Sequence, residues 1–308
     1  MAATPVRAAA PPDLEGADEA ATQVRADTTV FFAALEPYGN WSTDPRYGPV
    51  WHPRDELYRP YTRGRWAFTA WGLTFLSEDV WGWAVHHYGR WYYDAALGWT
   101  WVPGAEWAPA WVAWRADEEH VGWAPLPPEA TWPDPEDMAG FGFGEIPPDL
   151  WSFVRKQDLL LPILAPRILP SSRNEIVAMR TRDITRYGVL QERVANLAWD
   201  QRELAIALGR PVLRYDVVDL AGPPDPELRV HRREIGMFRP LLTQTPRQQA
   251  LESLAERSGS AAPAGLSPLP PPPPWSDPSA RVPPPQREAP LADQPPRTKR
   301  APLSPPVS

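Results

Sequence analysis

GNWSTDPRYGPVW (residues 39–51), GRWAFTAWGLTF (residues 64–75) and GRWYYDAALGWTW (residues 89–101) stack into one pattern. Each opens on glycine and places tryptophan two residues later, at Trp41, Trp66 and Trp91, a strict period of 25 residues. A second glycine follows at Gly48, Gly72 or Gly98, with an aromatic residue three positions beyond it at Trp51, Phe75 or Trp101. Leu57, Trp81 and Trp107 align six residues further on. Five coincident positions in three copies mark an internal repeat.

Alternation inside the copies points to strands. Trp91 and Tyr93 share one face, Trp99 and Trp101 share one face beyond the DAALG turn, and Trp81 and Trp83 read the same way. Each copy is therefore a β-hairpin plus a connecting strand. A glycine that ends a short hairpin loop takes up a positive φ at little steric cost, so Gly98 should tolerate valine less well than Ala95 does. The expected fold class is mainly β: an antiparallel meander or small barrel, or two packed sheets, built from three 25-residue Trp/Gly hairpin repeats. A small α+β segment and a disordered proline-rich C-terminal tail complete it.

The stretch from Tyr38 to Pro128 holds thirteen of the 17 tryptophans in a chain of 308 residues that also carries 43 prolines. So much proline argues against folding along the whole length. A net charge of -7 gives no general basic footprint, which disfavours nucleic acid as a partner. Lys156 and Lys299 are the only lysines among 31 basic residues. The absence of cysteine excludes disulfides, thiolate catalysis, iron-sulfur clusters and cysteine-bound zinc, so packing alone must hold the fold. No 18-residue apolar run predicts a transmembrane helix, and the first twenty residues lack the apolar core of a secretion signal. Either the chain begins after a removed signal or it is not exported by that route.

Around the repeats, residues 1–26 read as a disordered leader and 27–135 as the tryptophan-rich β domain. Asp27 or Thr28 is placed to cap a helix through TTVFFAALE, with Phe31, Phe32 and Leu35 on its apolar face and Pro37 ending it. Residues 150–220 read as a small α+β subdomain packed on the β domain, with strands at WSFV, EIVAMR and LRYDVVDL. Between them, Asp200 and Glu203 form a capping-box pair for the helix QRELAIALG. Residues 221–262 read as a connector, extended through GPPDPELRVHRREIG, with one short helix after Pro246. Residues 263–308 read as a polyproline II tail, a spacer or tether in which Trp275 follows a run of five prolines.

These residues carry a resemblance. EPYGNW, YRPYTRGRW, WGWAVHHYGRW, GWTWVPGAEWAPAWVAWR and GWAPLPP, with WSFVRKQD, RDITRYGVLQERVAN and GRPVLRYDVVD further on, are similar to an uncharacterised tryptophan-rich exported family of Gram-negative bacteria. The likeness spans about Phe31 to Asp219. It implies a protein of the periplasm or cell envelope, some relatives bearing a FecR-like domain, which this chain lacks. It implies no functional residues.

The candidate sites follow from surface chemistry. Tryptophan on both faces of several predicted strands, in a sheet that usually wets one face, points to an exposed aromatic strip, and Trp81, Trp83, Trp99 and Trp111 lie where strands meet turns. Such a strip would stack on cell-wall glycan, with Arg90 beside it. The alternative is that every indole is core. Arg65, Arg90 and Arg115, each next to a tryptophan, fit cation-π packing better than anion binding. His86 and His87, with Asp94 or Glu78, are a weak metal set, because neighbours on a strand face opposite ways. Glu78, Asp79, Asp94, Glu106, Glu118 and Glu119 supply carboxylates but no spacing that pairs two of them for glycoside chemistry. No nucleophile, phosphate-loop or metalloprotease motif is present, so neither an enzyme nor a cofactor is expected. The expected role is a non-enzymatic envelope protein that binds glycan, peptidoglycan or another envelope protein. The alternative is a structural or assembly protein whose proline tail is its interaction element.

Overall fold

Each of the three glycine-tryptophan segments folds as an antiparallel hairpin in the computed structural model, which describes residues 24–130, 142–226 and 230–258. A strand β1 (Arg25–Asp27) and a helix α1 (Val30–Leu35) precede them. The hairpins pair β2 (Gly39–Asp44) with β3 (Gly48–Pro53), and β4 (Gly64–Thr69) with β5 (Gly72–Ser77). After a helical turn α2 (Gly82–Val85), β6 (Arg90–Asp94) pairs with β7 (Gly98–Val102). A fourth hairpin, β8 (Val112–Ala116) with β9 (His120–Pro125), lies outside the 25-residue spacing.

The register accounts for the aligned positions. Trp41 stands opposite Trp51, Trp66 opposite Phe75 and Trp91 opposite Trp101, and the fourth hairpin sets Trp114 opposite Trp123. Aromatic cross-strand pairs are among the stronger side-chain contacts in sheets. The leading glycines are steric: a Cβ on Gly39, Gly64 or Gly89 would come within 2.3, 2.3 and 2.1 Å of the carbonyl oxygens of His52, Leu76 and Val102. The turn glycines Gly48, Gly72 and Gly98 have φ of +81°, +89° and +74°. Gly72 is constrained twice, because a Cβ there would also meet the Asn196 carbonyl oxygen at 1.9 Å.

The rest of the chain extends these hairpins. It supplies β10 (Ser152–Arg155), α3 (Asn174–Arg180), β11 (Arg182–Asp183), β12 (Tyr187–Leu190), β13 (Arg193–Asn196) and α4 (Gln201–Leu208). Then come β14 (Arg214–Asp219), β15 (Val230–His231), β16 (Glu234–Met237), β17 (Leu241–Thr243) and α5 (Arg247–Ser258). The first and third hairpins join through Trp51 opposite Trp101 into a sheet ordered β2-β3-β7-β6. The fourth hairpin is flanked as β10-β9-β8-β11, and the second sits inside a seven-stranded sheet, β12-β13-β5-β4-β14-β16-β15.

The architecture is mainly β, and among the described residues no sheet closes into a barrel. The reason is that both edges of the second hairpin are taken by later strands. Asn196 of β13 pairs in parallel with Gly72, and Arg214 and Tyr215 of β14 pair in parallel with Phe68 and Thr69. Segment 150–220 thus adds strands beside two of the four hairpins, the second and the fourth. Residues 1–23, 131–141, 227–229 and 259–308 lie outside the described residues, and with them most of the expected leader and the whole of the expected proline-rich tail.

Two elements differ from expectation. EIVAMR forms α3, a helix that buries Val177 and exposes Ile176 and Met179. Short apolar runs do not separate the two periods, and alanine, methionine and arginine favour the helix. The connector also contains the β15-β16 hairpin, whose Ile235 and Met237 are buried and whose second strand pairs in parallel with β14. The capping box is present: the Glu203 N–H donates to Asp200 Oδ1 at 2.7 Å, and the Asp200 N–H donates to Glu203 Oε2 at 3.3 Å. Gly209 ends α4 at φ +62°.

Candidate functional site

The expected aromatic strip is not at the surface. Trp81, Trp83, Trp99 and Trp111 are 7, 7, 5 and 0% exposed. Trp81 and Trp83 flank and occupy the α2 turn rather than sharing a strand face. Trp83 is covered by Phe238, 4.8 Å between ring centroids, and by Phe31 at 5.8 Å. Trp81 packs at 5.1 Å from both Trp51 and Tyr58, and Trp99 packs on Tyr93 at 5.8 Å. Phe31 from α1 and Phe238, just after β16, therefore close over a face that a free-standing sheet would leave wet.

Seven of the sealed indoles are also anchored. Trp51, Trp71, Trp91, Trp101, Trp111, Trp123 and Trp151 donate their Nε1–H to backbone carbonyls at 2.8–3.2 Å, so their N–H groups are satisfied without water. Among the fifteen described tryptophans, Trp41 and Trp199 alone are not buried.

The arginines behave as packing groups. The Arg90 guanidinium lies 3.5 Å from the Trp111 ring centroid and donates to the carbonyls of Ala130 and Gly89 at 2.9 and 2.8 Å. Burial draws its pKa down to about 10, which leaves it charged at neutral pH. Arg115 sits 5.6 Å from Trp151 and donates to Thr181 Oγ1 and to the carbonyls of Ala178 and Thr181. A further buried cation, Arg59, donates to Ser152 Oγ and the carbonyls of Asp149 and Trp151. Arg65 stands opposite Leu76 in the second hairpin.

His86 and His87 follow α2 and are buried. The Nε2 of His86 contacts the Tyr58 hydroxyl at 3.0 Å, whereas Nδ1 of His87 contacts the Ala108 carbonyl at 2.9 Å. Among the described residues no three ligating side chains cluster as a metal set. Of the carboxylates, Asp94 caps its hairpin turn by accepting the N–H groups of Ala96 and Leu97. Glu78, Glu106, Glu118 and Glu119 are exposed, and Asp79 is half-buried beside Arg63.

What the structure brings together lies elsewhere. Two adjoining clefts, of about 630 and 710 Å³, meet at Thr185, Arg186 and Trp199. The first is floored by Phe68, Ala70 and Gly72 at the turn of the second hairpin, and walled by Tyr187, Leu190 and Leu197. The second is lined by Lys156, Arg180 and Arg182 together with Asp117, Glu118, Asp183 and Glu203. Both volumes fall in the range of ligand clefts, roughly 300–1,000 Å³.

Local structure fixes this groove. Trp199 immediately precedes the Asp200 cap of α4, and the Arg186 Nε–H donates to the Leu197 carbonyl at 3.0 Å while the Leu197 N–H donates back to the Arg186 carbonyl at 2.7 Å. The Tyr187 hydroxyl accepts the Val112 N–H at 2.9 Å and lies 2.9 and 2.8 Å from the carbonyls of Ala110 and Val112, tying the groove wall to β8. Lys156 Nζ stands 5.9 Å from the Trp199 ring centroid. The arrangement offers an aromatic platform between an apolar lobe and a charged lobe. The repeat drew sequence reading to the hairpins and away from Trp199. Its signal was an aromatic residue just ahead of a helix cap, the position from which a side chain packs back onto the first turns.

Residues 32–130 match the model of a family of unknown function, DUF6600. That span runs from α1 to the residue whose carbonyl receives Arg90, and it holds all four hairpins, whereas Thr185, Arg186 and Trp199 lie beyond it. No curated protein and no solved structure matches the chain. Among the described residues no helix is long and apolar enough to cross a membrane.

Proposed function

We propose that this chain is a non-enzymatic interaction module of the bacterial cell envelope, in which the tryptophan hairpins are packed scaffold and the groove at Trp199 is the surface that meets a ligand or partner. The observation that carries this reading is the contrast between thirteen sealed indoles and the half-buried Trp199 at the junction of two clefts. Envelope placement rests on the likeness of residues 31–219 to the exported tryptophan-rich family, and the hairpins then read as copies of one glycine-tryptophan unit. The groove carboxylates support binding over chemistry. Asp117, Asp183 and Glu203 each accept a backbone N–H of the protein itself and so brace the groove wall.

A second reading, a structural or assembly protein whose proline-rich segment makes the contacts, is favoured by the same burial of the tryptophans. The two lysines separate the readings, because Lys156 lines the groove and Lys299 lies in the proline-rich sequence. Amine labelling of the full chain, read by mass spectrometry with and without Gram-negative envelope fractions, should protect Lys156 and leave Lys299 unchanged. Protection at Lys299 alone would favour the second reading, and protection at neither would remove the groove from consideration.

A further inference from the structure

We infer that the Trp199 groove is a two-lobed receptor for an anionic saccharide, its acidic group held by Lys156, Arg180 and Arg182 and the neighbouring sugar ring resting against Trp199 and the apolar lobe. This rests on the groove being the interaction surface, and it adds the ligand class.

The charge balance of the second lobe carries the argument. By count its four cations and four carboxylates cancel, but three of the carboxylates are spent on the protein itself, leaving Glu118 against the three cations Lys156, Arg180 and Arg182. Asp117 accepts the N–H groups of Glu119 and His120, and Asp183 accepts the N–H of Thr185. Glu203 completes the capping box of α4 and stands 3.8 Å from Arg186 Nη2. Lys156, Arg180 and Arg182 line the same lobe, and no carboxylate among the described residues lies within 4.0 Å of them. The uncommitted charge is positive, in a chain whose net charge is -7. Two guanidinium groups and an ammonium suit a carboxylate or sulfate, which accepts bidentate hydrogen bonds.

The platform points to a ring beside that anion. Trp199 is half-buried with its Nε1 turned inward, away from solvent, so what it presents to the groove is ring carbon. Apolar C–H faces of a pyranose fit such a surface. Lys156 hovers over the ring at 5.9 Å, a distance at which its attraction to the indole is weak, so the ammonium can swing to an incoming anion. The first lobe adds apolar surface from Phe68, Ala70 and Leu190 against which a second sugar unit can rest. An oligoglutamate would satisfy the cations but has no ring to occupy the indole face.

The test uses the full chain and three probes of matched length: an oligogalacturonate, a neutral gluco-oligosaccharide and an oligoglutamate. Binding is read by lysine labelling and by titration calorimetry at two salt concentrations. The expected result is that oligogalacturonate protects Lys156 but not Lys299, and binds several-fold more weakly at higher salt because exposed charge pairs are screened. Arg182→Gln and Arg180→Gln should each weaken it about tenfold, and Trp199→Ala should weaken it with unchanged circular dichroism. Equal binding of the neutral oligosaccharide, or binding of oligoglutamate alone, would overturn the ligand class while the envelope-labelling result still decides whether the groove is used. Failure of all three probes to protect Lys156 would overturn the inference outright.

Discussion

Arg90 with Trp111 and Lys156 with Trp199 are the same chemical pair, a cation beside an indole, in two settings. The first is closed: the ring is fully buried, the guanidinium is 3.5 Å from it, and two carbonyls accept its Nε–H and an Nη1–H. The second is open: the ring is half-buried, the ammonium is 5.9 Å away, and no carboxylate among the described residues lies within 4.0 Å of it. A guanidinium delocalises its charge and is weakly hydrated, so it tolerates enclosure among carbonyls and rings, whereas an ammonium on a flexible stem retains its water. A cation-indole contact therefore has no fixed meaning. Its meaning is set by whether the other donors of the cation are spent.

Truncating the two rings should separate the settings most widely. Trp111→Ala should cost about 3–5 kcal/mol in urea unfolding through the cavity it leaves, whereas Trp199→Ala should cost about 1 kcal/mol or less. Equal losses would mean that Trp199 is also core. Replacing the cations gives the next largest contrast: Arg90→Met should lose about 2–3 kcal/mol, because the carbonyls of Gly89 and Ala130 are left without their donors.

The closed side also titrates. Burial pushes the Asp79 carboxyl up to about 6, reinforced by Glu78 and Asp55 and opposed by Arg63. A carboxyl raised in the folded state holds its proton more tightly there than in the unfolded chain. Its stabilising contribution is then complete below about pH 4 and is lost as the pH rises through about 6. Against Asp79→Asn, the wild-type chain should lose at most about 2 kcal/mol across that window, after allowing for partial solvent screening, and should parallel the variant above it. A difference that does not change with pH would place Asp79 in contact with water throughout. The smallest effect is expected on the open side, where Lys156→Met should change stability by less than about 0.5 kcal/mol.

The hairpins were legible because glycine and tryptophan at fixed spacing report two local demands, a positive-φ turn and an aromatic cross-strand pair. Trp41, Trp66 and Trp91 face the aligned aromatics that the stacking of the sequences selects. The capping box of α4 was legible for the same reason, since it is closed by residues three apart. The burial of Trp81, Trp83, Trp99 and Trp111 was not legible. Whether a sheet face is wet depends on what arrives later in the chain, and Phe238, which covers Trp83, lies 155 residues beyond it. The barrel alternative failed on the same ground, because the strands that occupy the edges of the second hairpin come from β13 and β14. The groove was missed because its three cations are ordinary until their neighbours are seen to be committed elsewhere.

The parallel pairing of Arg25–Asp27 with Leu241–Thr243, reinforced by the Thr245 N–H donated to Thr28 Oγ1 across 217 positions, sets the order in which the protein assembles. The four hairpins close over short loops and can form as soon as their own residues have left the ribosome. The first strand cannot be paired until more than two hundred further residues have been made, and the parallel strands beside the second hairpin also wait for distant sequence. Contacts of such long separation carry the largest loop-closure entropy and form last. During synthesis, therefore, a chain with its aromatic hairpins already made must pass through a stage in which their faces are uncovered, until β13, β14 and Phe238 arrive to end that exposure.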